Sequence, residues 1–184
     1  KKGGGSYASE RGRAMAVDSA GNSYVCGYFY TSATFGSTTI TSHGGYDVFI
    51  AKYNSSGVVQ WVKNAGSTAD DDEAFDIEVD NNGNCFVVGY FIGTATFASG
   101  TTLTSSGLKD GYIAKYNSAG VFQWVKQVAG TSNNYGYGCA VDSLGNVAIT
   151  GSFQGTAAFS STTSLTGSGL ADIFIAKYNG STGA

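Results

Sequence analysis

Short apolar runs alternate with polar turns along the whole chain, and within each run the side chains alternate as well. In "RAMAVD" (Arg13 to Asp18), Met15 and Val17 project one way while Ala14 and Ala16 project the other. Such alternation is the signature of a strand, here with large residues on one face and small ones on the opposite face. The turn "SAGN" leads into "SYVCGYF" (Ser23 to Phe29), a second strand. A Ser/Thr-rich excursion, "TSATFGSTTITSHGGY", reads as a connection and leads to a third strand, "DVFIAKY" (Asp47 to Tyr53). The turn "NSSG" then feeds a fourth strand, "VVQWVK" (Val58 to Lys63).

The pattern recurs. Asp18, Asp80 and Asp142 are spaced 62 residues apart, as are Gly21, Gly83 and Gly145. Gly27, Gly89 and Gly151 keep the same phase, and so do Phe35, Phe97 and Phe159. One inserted residue near Leu108 shifts "DVFIAKYN" to "DGYIAKYN" at Asp110, and "DIFIAKYN" follows at Asp172. The turns have a mechanism. Asp18, Asp80 and Asp142 can accept hydrogen bonds from amides two or more residues on, and Gly21, Gly83 and Gly145 can take the left-handed conformation that closes the hairpin. Tandem four-stranded units at even spacing predict an all-β chain of β-propeller blades. The blades fall at approximately 1–63, 64–126 and 127–184.

The motifs "AVDSAGNSYVCGYF", "VDNNGNCFVVGYF" and "AVDSLGNVAITGSF", each followed by "DxFIAKYN" or a close variant, resemble the bacterial seven-bladed beta-propeller (SBBP) repeat family. The resemblance covers essentially the whole chain. It implies a propeller region of a large secreted or surface-attached protein, hence an extracellular or cell-surface location. The family carries no shared catalytic residues.

Lys1 aligns with Lys63, and Ala184 falls just before a third "VVQWVK". The chain thus holds three copies of strands one to three and two of strand four, an open arc whose last blade lacks its outermost strand. Leaving two blade faces of several hundred Å² uncovered would forgo roughly 10 kcal/mol at about 25 cal/mol per Å². The expected partners of those faces are further blades of the same parent chain or other copies of itself.

Composition agrees with strands: 12 Tyr, 11 Phe, 28 Gly, no Pro and only 12% charged residues. The net charge of −3 comes with no basic cluster, which argues against nucleic acid as a partner. No apolar stretch approaches the roughly 20 residues that span a bilayer as a helix. Cys26, Cys85 and Cys139 occupy three different positions of the repeat and read as free, half-buried thiols.

Candidate chemistry is sparse. Asp76 and Glu78 stand where the other units have Ala14, Ala16, Gly138 and Ala140. They could line the channel, and Arg13 is expected to pair with one of them. Calcium at this pair, or at the run Asp70, Asp71 and Asp72, is the weaker alternative, and no cofactor is otherwise implied. The acidic run reads as a solvated loop rather than a repeated device. Trp61 and Trp124 recur and read as packing, while Lys52, Lys115 and Lys177 should snorkel or pair with a neighbouring blade. His43 reads as a surface loop residue. Aromatics outside the repeat, chiefly Tyr30, Tyr46 and Tyr135, with Tyr7 and Tyr137, are the candidates for a protein or glycan contact. The expected function is a noncatalytic scaffold presenting loops to such partners. The alternatives are a self-assembling structural subunit and an enzyme with its site at the channel mouth, seeded by Asp76 and Glu78.

Overall fold

The structure, a computed structural model, describes residues 3–4, 10–68 and 71–184. Tyr7 and Asp70 lie outside the described residues. The first unit contains β1 (Gly3–Gly4), β2 (Arg11–Val17), β3 (Ser23–Phe35), β4 (Thr38–Tyr53) and β5 (Val59–Ser67). The second contains β6 (Glu73–Val79), β7 (Cys85–Phe91), β8 (Thr94–Ala98), β9 (Thr101–Thr104), β10 (Asp110–Tyr116) and β11 (Phe122–Gly130). The third contains β12 (Tyr135–Val141), β13 (Val147–Phe153), β14 (Thr156–Ala158), β15 (Ser164–Thr166) and β16 (Asp172–Tyr178). The chain is all-β, and its antiparallel sheets are propeller-like blades: β2-β3-β4-β5, β6-β7-β10-β11 and the three-stranded β12-β13-β16.

The turns between the first and second strands are tied by one device. Asp18 Oδ1 accepts from the amides of Ala20 (3.0 Å) and Asn22 (2.9 Å), and Oδ2 accepts from Asn22 Nδ2 (2.8 Å). Asp80 and Asp142 do the same for Asn84 and Asn146. Gly21, Gly83 and Gly145 take φ of 78°, 75° and 80°, which a side chain would resist.

The Ser/Thr-rich excursion is not the plain connection its composition suggests. In the first unit it is a hairpin that prolongs β3 and β4, with Phe35 opposite Thr38. In the others it is the separate hairpin β8-β9 or β14-β15. Cross-strand threonine hydroxyls meet at 2.9 Å (Thr34 and Thr39), 3.0 Å (Thr94 and Thr104) and 3.2 Å (Thr156 and Thr166), so the threonines are paired rather than loose. Each hairpin also bonds the tail of the preceding fourth strand. Gly66 pairs with Thr96 on β8, and Ala129 pairs with Ala158 on β14.

Blades pack face to face. Tyr24, Cys26, Val48 and Ile50 of the first meet Ile77, Val87, Tyr112 and Tyr116 of the second. Phe86, Val88, Ile113 and Trp124 of the second meet Val147, Ile149, Phe174 and Tyr178 of the third. The two outer faces have no such cover among the described residues. Met15 is 61% exposed on one, and Ile173 is 82% exposed on the other.

The first strands β2, β6 and β12 lie against one another. Each carries a β-bulge at the same place, so that Arg13, Phe75 and Tyr137 have no partner in the ladder. A bulge re-aims its side chain. Here it sends all three residues to one end of the packed strands.

Candidate functional site

The three bulge residues form the centre of a continuous row of rings. The Arg13 guanidinium sits 5.2 Å from the Tyr28 ring centre and 5.4 Å from that of Phe75. Phe75 lies 5.5 Å from Tyr137, which stacks on Tyr135 at 5.4 Å with planes only 8° apart. Tyr90 closes the inner side, against Phe75 at 5.6 Å and Tyr135 at 5.4 Å. At the other end Tyr46 touches Tyr28 at 5.1 Å and Tyr30 at 5.5 Å. The Lys109 ammonium lies 4.1 Å above Tyr90. Tyr30, Tyr46 and Tyr135, singled out because they break the repeat, therefore stand on one surface. Arg13, Phe75 and Lys109 belong to it as well. Sequence reasoning could not have found Arg13 and Phe75, since the bulge that turns them outward leaves no mark in residue type, and Lys109 lies in the connection before β10.

The electrostatics of the row are paired. Arg13 Nη2 bonds Glu73 Oε2 at 2.6 Å, and Glu73 Oε1 accepts from the Tyr90 hydroxyl at 3.2 Å. This corrects the expected pairing of Arg13 with Asp76 or Glu78. That expectation rested on unbroken alternation along β2, and the bulge between Gly12 and Ala14 breaks it. A guanidinium over aromatic faces and a carboxylate within the same surface offer stacking and hydrogen bonding together. Tyr137 is 49% exposed, so part of its side chain is accessible to a ligand beside its stack on Tyr135.

The carboxylates considered for metal have other work. Asp76 Oδ1 accepts from Ile77 N and Oδ2 from Cys139 N, both at 2.9 Å, which ties β6 to β12. Glu78 is half-buried, and burial raises its pKa, with Asp76 adding to the effect. Asp71 accepts from Tyr46 N at 2.9 Å. Among the described residues no cluster of three or more His, Cys, Asp and Glu side chains could hold a metal ion. The three cysteines are free thiols, and burial pushes Cys26 and Cys85 up to about 12.

Asp72 corrects the reading of its run as a solvated loop. It is 1% exposed. Its Oδ2 accepts from Ser67 N at 2.6 Å, its Oδ1 from Ile92 N at 2.9 Å, and its own amide donates to Tyr46 O at 2.6 Å. The position also recurs: Asn134 donates its amide to Lys109 O at 2.7 Å in the next junction. There Asn134 Nδ2 also reaches Asp110 Oδ1, at 3.2 Å. Asp47, the counterpart of Asp110, is fully buried and holds His43 Nδ1 at 2.6 Å, and its Oδ1 has no hydrogen-bond partner among the described residues. His43 is thus part of this junction and not an idle loop residue.

Burial, with some repulsion from Asp47, pushes the Asp72 carboxyl up to about 7. A raised folded pKa means that the folded chain holds this proton more tightly than the unfolded chain. The stabilisation is complete below about pH 4 and is lost as pH rises through about 7. Asp72→Asn removes the ionisation and, like the protonated acid, keeps one acceptor oxygen for the Ser67 and Ile92 amides. The variant is expected to be more stable at pH 8 by about 1–3 kcal/mol, and the difference from the parent chain should vanish near pH 4. Urea melts across that range check it, and a constant difference at all pH values would refute it.

The blades and the row of rings at one end of their first strands give a β-propeller-like repeat architecture with a surface suited to binding. A scan against protein-family models finds no match. An uncharacterized WD repeat-containing protein of Acanthamoeba polyphaga mimivirus is 26% identical over 211 aligned positions, covering 95% of this chain and 15% of that protein. The similarity is weak but lies with a repeat class whose members build propellers from four-stranded blades. Among the described residues no helix is long and apolar enough to cross a membrane.

Proposed function

We propose that this chain is a noncatalytic binding region of a secreted or cell-surface bacterial protein of the SBBP type, and that the row of rings at the mouth receives a protein or glycan partner. The observation that carries the reading is the Tyr135 and Tyr137 stack, with Tyr137 half exposed and Phe75 linking it to the Arg13 and Glu73 pair. Flat ring faces suit the C–H faces of sugars and the apolar anchors of protein contacts, and the flanking charges fix orientation. The weak likeness to a WD repeat-containing protein supports a scaffold over an enzyme. The engagement of both Asp76 oxygens by backbone amides weighs the same way. A second reading, a self-assembling structural subunit, draws on the two uncovered outer faces.

A glycan array and pull-downs with the monodisperse chain test the first reading. A captured ligand should lose at least about tenfold in affinity on Tyr137→Ala, about 1.4 kcal/mol, with an unchanged melting temperature. Binding that survives both Tyr137→Ala and Arg13→Ala would move the site elsewhere. Concentration-dependent growth of polymers without any ligand would favour the structural subunit.

A further inference from the structure

Both junctions inside the chain are fastened by the same pair of side chains. Trp61 Nε1 donates to the Ser118 carbonyl at 3.1 Å, and Lys52 Nζ donates to the same oxygen at 3.2 Å. In the next junction Trp124 Nε1 and Lys115 Nζ donate to the Gly180 carbonyl at 3.1 and 2.7 Å. The receiving turn ends in a left-handed glycine pressed against the indole. A Cβ on Gly120 would lie 2.7 Å from Trp61 Cδ2, and one on Gly183 would lie 2.9 Å from Trp124 Cδ2. The first and second blades therefore each give a tryptophan and a lysine on one face, and the second and third take them in at the turn after the third strand.

The first blade presents the same turn, and among the described residues neither a tryptophan nor a lysine donates to it. Ser55 is the counterpart of Ser118, and Gly57, with φ of 73°, is the counterpart of Gly120. Among the described residues no side chain donates to the Ser55 carbonyl. Tyr53, Ser55 and Gly57 line a cleft of about 490 Å³ that continues over Val25, Phe35 and Phe49. A second observation points to the occupant. Gly4 pairs with Thr34 on the first blade as Gly66 pairs with Thr96 on the second. The tail of a fourth strand thus already lies beside this face, in the register it has at the next junction.

We propose that this cleft is the docking surface for a further four-stranded blade of the same repeat. That blade inserts the tryptophan of its fourth strand against Gly57 and aims the indole N–H and a lysine at the Ser55 carbonyl. The interface continues the two already present in the chain. A second copy of the chain fits the cleft less well: among the described residues its uncovered blade shows β12, β13 and β16, and its Lys177 is held by Asp142 at 2.8 Å.

The test extends the full chain ahead of Lys1 with a copy of residues 1–62, which keeps the repeat in phase because Lys1 corresponds to Lys63. A third indole N–H should appear in the proton–nitrogen spectrum and exchange with solvent at least about tenfold more slowly than a free indole. Trp→Ala at position 61 of the added copy should return the melting temperature to that of the parent chain, and Gly57→Val should restore fast exchange. A folded extended chain whose third indole exchanges freely would overturn the proposal, as would a melting temperature indifferent to the added tryptophan. Stable pairing of the parent chain through the Met15 and Phe49 face would overturn it too, because a second copy would then be the occupant.

Discussion

Gly89→Ala is expected to cost about 4 kcal/mol or more and to leave much of the chain unfolded at room temperature. A Cβ on Gly89 would fall 1.9 Å from the Glu73 carbonyl oxygen and 2.9 Å from Ala74 Cα. Both neighbours are backbone atoms of β6, so no side chain can rotate away. The cause is the bulge in the first strand, which brings its carbonyl onto the second strand at the glycine. Gly27 and Gly151 meet the carbonyl oxygens of Arg11 and Tyr135 in the same way, at 1.9 and 1.8 Å. Gly12→Ala is the matched control, since the nearest atom to its new methyl would be Val25 Cγ1 at 3.9 Å. Urea unfolding of the two variants compares them directly. A loss below about 1 kcal/mol at Gly89 would mean that the strands separate more easily than this packing implies.

Trp124→Ala is expected to cost about 3–5 kcal/mol. The indole is 9% exposed and packs between Phe86, at 5.9 Å, and the turn at Gly183. Its removal opens a cavity in the junction of the second and third blades and takes one of two donors from the Gly180 carbonyl. Trp124→Phe separates the two effects. It keeps most of the apolar contact and loses the hydrogen bond, worth about 1 kcal/mol while Lys115 still serves the acceptor. Trp61→Ala should cost less, because Trp61 is only partly buried. If the two alanine variants lose the same amount, burial is not what governs the junction.

The mouth was only half legible in the residues. Tyr30, Tyr46 and Tyr135 stood out as breaks in a repeat. Arg13 and Phe75 did not, because strand alternation assigned them to ordinary faces, and a bulge depends on the partner strand as much as on its own sequence. Lys109 follows Leu108 at the one-residue insertion, where nothing in the repeat marks it out, yet its ammonium rests on Tyr90. Asp72 looked like one acid among several. It is buried because the Ser67 and Ile92 amides need an acceptor where β5 ends, and that need appears only when the second unit folds against the first.

The echo of one phrase at a fixed spacing determined the strand order within each unit, the capped Asp and Gly turns and the all-β class. Those features depend on contacts close along the chain, which local sequence encodes directly. The tertiary structure decided what the bulges aim, which carboxylate faces which amide, how the Ser/Thr-rich hairpins bridge one unit to the next, and which turn receives each tryptophan. These depend on groups brought together from about sixty residues apart, where a shift of one position sends a side chain to the other face of its sheet.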